Sequence, residues 1–164
     1  MRMFIRILGL TLLFLIPSNF IIESAPDGFY KWDTSDVQEQ LNDYPHSIHW
    51  PDYLPIQTSN TLVEPVSKAN DDIQLTTFSD ENHVLSIQIS TEQQESLRGE
   101  SPILIDQRIP GGYVDNGFSK TLTWKQGDLY YELTYRSMGE SSRDETVSKD
   151  KLIQTALAFM DHTK

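Results

Sequence analysis

The 164-residue sequence has no cysteine and only 13 Lys plus Arg against 24 Asp plus Glu, a formal net charge of −11. Without cysteine, disulfide scaffolds, Cys-rich zinc modules, iron–sulfur clusters and thiol nucleophiles are excluded together. Any core must hold by packing alone. The shortage of bases argues against nucleic acid, because sequence-independent affinity for a phosphate backbone comes from Lys and Arg displacing counterions. Catalytic signatures are lacking too. No Gly-x-Ser-x-Gly elbow occurs, and Pro110-Gly111-Gly112 has neither the lysine nor the following helix of a phosphate loop. Asp71-Asp72 and Asp80-Glu81 do not follow the alternating ligand spacing of a calcium loop.

What is present begins with a pattern for export. Arg2 and Arg6 precede an apolar run over residues 7–16, followed by Pro17 and a second apolar patch at Phe20, Ile21 and Ile22. A basic start and an h-region of about ten residues predict a secretory signal over 1–25, too short for the roughly 20 residues a bilayer demands. The alternative is an uncleaved signal anchor, since Glu23 sits where a small side chain is preferred and Pro26 follows Ala25. Cleavage after Ala25 would leave 11 bases and 23 acids, a net charge of −12. The chain is thus expected to be secreted or extracytoplasmic at the cell envelope, and membrane-bound only if the N-terminal segment is retained.

Residues 26–50 read as a helical and irregular lead-in to a domain over 51–164. A helix is expected over 34–44, with Ser35 and Gln38 at capping-box spacing, Val37, Leu41 and Tyr44 on one face, and Pro45 ending it. Beyond Thr61 the apolar period becomes two. Ile73, Leu75 and Thr77, then Leu85, Ile87 and Ile89, predict paired antiparallel strands around a turn at 79–82. A polar loop over 93–102 precedes a strand at 103–109, which Pro110-Gly111 should end as a turn. Residues 121–124 and 129–136 flank Lys125-Gln126-Gly127-Asp128 and predict a hairpin. Leu122, Trp124, Leu129, Tyr131, Leu133 and Tyr135 should share its core side, leaving the other side to water. A stretch without periodicity over 138–146 reads as a loop. Ser148 should then cap a helix with an apolar stripe of Leu152, Ile153, Ala156, Leu157, Phe159 and Met160. The fold class expected is α+β: an antiparallel β meander with a C-terminal helix on one face and a short N-terminal helix.

The strands at 73–78 and 83–91, the hairpin LTWKQGDLYYELTY and the helix VSKDKLIQTALAF together resemble a family. These are the small extracytoplasmic domains of unknown function of spore-forming Gram-positive bacteria, found among lipoproteins and at the outer ends of membrane-anchored regulators. The resemblance covers roughly residues 51–160 and implies an exported packing scaffold with no catalytic residues to carry over. The lipidated cysteine of the lipoprotein members has no counterpart here.

Three site readings follow from the residues. His46, His49 and Asp52, with Asp43 nearby, are the one cluster of metal-ligand type, although Pro45 and Pro51 break the helix that would align them. Tyr113, Phe118 and Tyr130 are candidates for a ligand surface, Tyr130 foremost because it falls on the polar side of the hairpin beside Glu132. Charge is also divided along the chain. Residues 27–106 carry 15 acids and 3 bases, whereas residues 107–164 carry 8 of each. That distribution keeps an exported monomer soluble, and as the sharper alternative it suits an exported protein or small ligand of basic character as partner. No cofactor is implied. The expectation is a non-enzymatic binding domain, with a membrane-anchored sensor or, further off, an envelope hydrolase as alternatives.

Overall fold

The structure is a computed structural model that describes residues 24–67, 71–93, 99–138 and 146–160. The expected signal segment and most of the expected loop at 138–146 lie outside them. Among the described residues no helix is long and apolar enough to cross a membrane.

Among the described residues nine strands and two helices follow in order. They are β1 (Tyr30–Lys31), α1 (Ser35–Gln40), β2 (Tyr53–Leu54), β3 (Asn60–Ser67), β4 (Asp72–Phe78), β5 (His83–Ser90), β6 (Ser101–Ile105), β7 (Ile109–Asp115), β8 (Ser119–Gln126), β9 (Leu129–Ser137) and α2 (Lys149–Phe159). Strands β3 to β9 form one seven-stranded antiparallel sheet in the order β3-β4-β5-β9-β8-β7-β6. It is not the single meander expected. One meander runs β3 to β5, a second runs β6 to β9, and the last strand of the second returns to pair with β5 from His83↔Ser137 to Ser90↔Tyr130. The chain between β5 and β6 must therefore travel from the middle of the sheet to its far edge.

One sheet face carries the core. Leu75, Leu85, Ile89, Leu122 and Leu133 are fully buried, as alternation in β4, β5, β8 and β9 dictates. The C-terminal helix covers that face with Leu152, Ala156 and Phe159, and begins where expected, the Ser148 hydroxyl accepting the Lys151 N–H at 3.2 Å. The lead-in is no appendage: Trp32 and Val37 belong to the same apolar cluster, and Trp50 meets Phe159 edge-on at 5.9 Å. Helix α1 is shorter than the 34–44 span. Thr34 stands at its N-cap, Asp33 rather than a capping box takes the Ser35 N–H at 3.0 Å, and Gln38 reaches back to the Thr34 hydroxyl at 3.0 Å.

Pro110-Gly111 is not a turn. Both lie inside β7, and the chain reverses earlier, where Asp106 and Gln107 take φ of 48° and 58° and the Arg108 N–H donates to the Ile105 carbonyl at 3.2 Å. Glycine serves a different end at 111: a Cβ there would stand 2.6 Å from the Thr123 carbonyl oxygen, so its absence lets β7 lie against β8. The hairpin β8–β9 is as expected, with Gln126↔Leu129 closing a two-residue Gly127-Asp128 loop. Its second side is not fully wet, however. Thr121 and Thr134 face each other there with oxygens 3.0 Å apart and are 5% and 7% exposed, short hydroxyl side chains sunk between longer neighbours.

Candidate functional site

The sheet face opposite α2 is polar, and at its β6–β9 end it forms a groove of about 500 Å³. Its base is backbone. Gly112 pairs with Thr123, Thr123 with Glu132, and Gly112 with Pro102 on the edge strand, so one cross-strand row supplies glycine, hydroxyl and carboxylate in sequence. The chain arriving from β5 turns at Gly99, whose φ of +84° suits glycine, and lays Glu100 over this row. Glu100 occupies the space a side chain at 112 would fill, and its carboxylate accepts a hydrogen bond from the Thr123 hydroxyl. Beside it Glu132 accepts from the Thr134 hydroxyl at 3.3 Å.

The next row holds Lys125 opposite Tyr130, with the ammonium 4.7 Å from the ring centroid. A cation over a phenol face gains quadrupole attraction. Trp124 and Tyr131 border the groove between these rows, but their rings turn to the α2 side of the sheet, stacked on each other at 4.9 Å with planes 7° apart. Burial pushes the Tyr131 phenol up to about 12. Among the described residues the Trp124 indole N–H has no hydrogen-bond partner. The groove thus offers two carboxylates, each accepting from one threonine hydroxyl, an aromatic ring with its cation, and an apolar rim of Pro102 and Pro110.

The three aromatic candidates are not brought together. Tyr130 lines the groove. Tyr113 pairs with Leu122 and so turns to the core side, where Lys149 lies 4.9 Å from its ring and burial, then Asp115, raise its phenol. Phe118, 88% exposed, sits in the β7–β8 turn, and the length of β8 separates it from Tyr130. His46 packs edge-on against Tyr44 at 5.4 Å, while His49, Asp43 and Asp52 are exposed. Among the described residues no group of three or more His, Asp or Glu side chains could hold a metal, whether at 43–52, at Asp71-Asp72 or at Asp80-Glu81. Sequence reasoning missed Glu100 and Gly112. A Gly-Gly pair within a strand is a sign of close backbone approach, and that was the available signal.

No protein-family model matches the chain, and no curated protein or solved structure is significantly similar to it.

Proposed function

We propose that the chain is an exported, non-enzymatic α+β domain of the cell envelope whose outer-face groove binds a cationic ligand, either a small amine or a basic segment of another exported protein. The observation that carries this reading is the placement of Glu100 and Glu132 on either side of Thr123, in a groove whose lysine is engaged with Tyr130. The chain's net charge of −11 reinforces it by drawing cations toward the surface. Export rests on the basic and apolar N-terminal pattern. The second reading, a sensor module held by an uncleaved anchor, is favoured by Glu23 and Pro26 at the processing site, and recovery of intact Met1 in a membrane fraction would select it.

Titration of the full chain with spermidine and trilysine, followed by amide NMR, tests the groove. Shifts should centre on Thr123, Tyr130 and Glu132, fade with added salt, and weaken several-fold in Glu132→Gln. Equal binding of triglutamate, or an unaffected Glu132→Gln variant, would overturn the reading.

A further inference from the structure

A second cleft, of about 460 Å³, opens on the other side of the molecule's core, between the chain at Gly28 and Tyr30, the start of β5 and the start of α2. Its chemistry is set by three side chains. His83 is 7% exposed and fixed from behind, its Nδ1 lying 2.9 Å from the Tyr135 hydroxyl. Burial raises the Tyr135 phenol, so its hydroxyl keeps a proton to donate to Nδ1. With Nδ1 as acceptor, a neutral imidazole carries its hydrogen on Nε2, and a protonated one does so too. The atom His83 offers to the cleft is therefore a donor in either state.

The other two are of opposite charge. Glu81 stands at the mouth, its side chain 69% exposed and one carboxylate oxygen 3.8 Å from His83 Nε2, beyond hydrogen-bond reach. Lys151 projects from the first turn of α2 to lie against Gly28, where any side chain would collide with its ammonium end. The described residues contain two ion pairs, His83–Glu81 and Arg108–Asp106, and Lys151 is in neither. A protein short of bases has placed a lysine in a polar cleft without an acid on it. Glu81 lines the same cleft but lies more than 4.0 Å away from it. Two opposite charges that share a cavity without meeting are spaced for a ligand to join them.

We propose that this cleft binds a small zwitterion, a free amino acid or short unblocked peptide, with its ammonium on Glu81 and its carboxylate on Lys151 and the Nε2–H of His83. The ligand completes both charge pairs in one step and adds no net charge. A simple anion would leave Glu81 opposing it, and a simple cation would meet Lys151.

Glycine, diglycine and triglycine, titrated into the full chain and read by amide and imidazole NMR, supply zwitterions of increasing length; N-acetylglycine and glycinamide each retain one charge. At least one zwitterion should shift His83, Glu81 and Lys151, with both blocked compounds about tenfold weaker or worse. A best fit to glycine identifies an amino-acid site, and a best fit to the longer members a peptide-terminus site. Lys151→Met and Glu81→Gln should each lower affinity about tenfold, while Lys151→Arg retains most of it. Ser148 caps α2 through the backbone of residue 151, so the lysine variants keep the cap. The proposal is overturned if no zwitterion binds at about 10 mM, if a blocked compound binds as well, if Lys151→Met binds undiminished, or if the shifts fall on Thr123 and Tyr130 instead.

Discussion

Replacing Phe159 with alanine removes the ring through which α2, the β8–β9 hairpin and the lead-in meet. Phe159 is 1% exposed, and its centroid lies 5.9 Å from Trp50, 6.3 Å from Trp124 and 6.1 Å from Tyr131. Truncating a buried phenylalanine costs about 3–5 kcal/mol, part from lost transfer free energy and part from the cavity left behind. Three aromatic partners from two other parts of the chain keep this site off the lower end, at about 4 kcal/mol, because none can close over the void without leaving its other contacts. Domains of this size hold about 5–15 kcal/mol in total, so the variant should remain folded with much of its reserve gone. Urea unfolding followed by tryptophan fluorescence and far-ultraviolet dichroism is the suitable assay, since the indoles of Trp32, Trp50 and Trp124 surround or adjoin the site. With a slope of about 2 kcal/mol per molar urea, the midpoint should fall by about 2 M with the slope unchanged. Gln154→Ala, on the exposed side of the same helix, is the control and should move stability by no more than about 0.5 kcal/mol. A Phe159→Ala loss under about 1.5 kcal/mol would refute the docking of α2 against this face.

Burial, reinforced at Tyr44 by Asp72 among other neighbours, pushes the phenols of Tyr44 and Tyr131 up to about 12 from an ordinary value of 10.0. The unfolded chain ionises first, so their contribution to stability should be intact below about pH 10 and vanish as pH climbs through about 12. Tyrosinate absorbance should show this late class, and its titration together with the exposed Tyr30 would refute it. Gly112→Ala is compatible with the backbone but would displace Glu100 and free the Thr123 hydroxyl. The expected loss is about 1 kcal/mol, discounted for partial exposure, together with weaker spermidine binding. A variant matching the parent in both urea midpoint and affinity would show that Glu100 does not build the groove.

The parts of this fold that could be read locally are those where two signals coincide. In β8–β9, alternation from Leu122 to Tyr135 brackets Gly127, and in α2 the apolar stripe follows directly on a capping serine. Where a residue type has two physical uses, the reading failed. Proline and glycine at 110–112 carry the composition of a turn, yet here they supply a strand that needs no Cβ facing Thr123, and the reversal falls on Asp106 and Gln107, residues that tolerate positive φ less readily. The β5–β9 pairing had no local signal at all, because His83 and Ser137 are joined only through the completed second meander. The site divides in the same way. Tyr130 was legible from alternation within its strand, whereas Glu100 reaches Thr123 only because β6 lies at the far edge of the sheet.

This topology also changes what the charge division along the chain means. An acidic first part and a neutral second part suggest two regions, one to be approached by cations and one not. The sheet order denies that separation, since β5 of the first part is hydrogen-bonded along its whole length to β9 of the second. The groove is built across the same seam: Glu100 comes from the acidic part, while Glu132, Lys125 and Tyr130 come from the neutral hairpin. A cation arriving there is drawn by the field of the whole acidic surface, which acts at a distance and is screened within about 8 Å at physiological salt. On the function proposed here it would then be selected by the hairpin's local carboxylate, ring and lysine. The excess charge would govern how fast such a ligand arrives, and the four side chains around Thr123 which one stays.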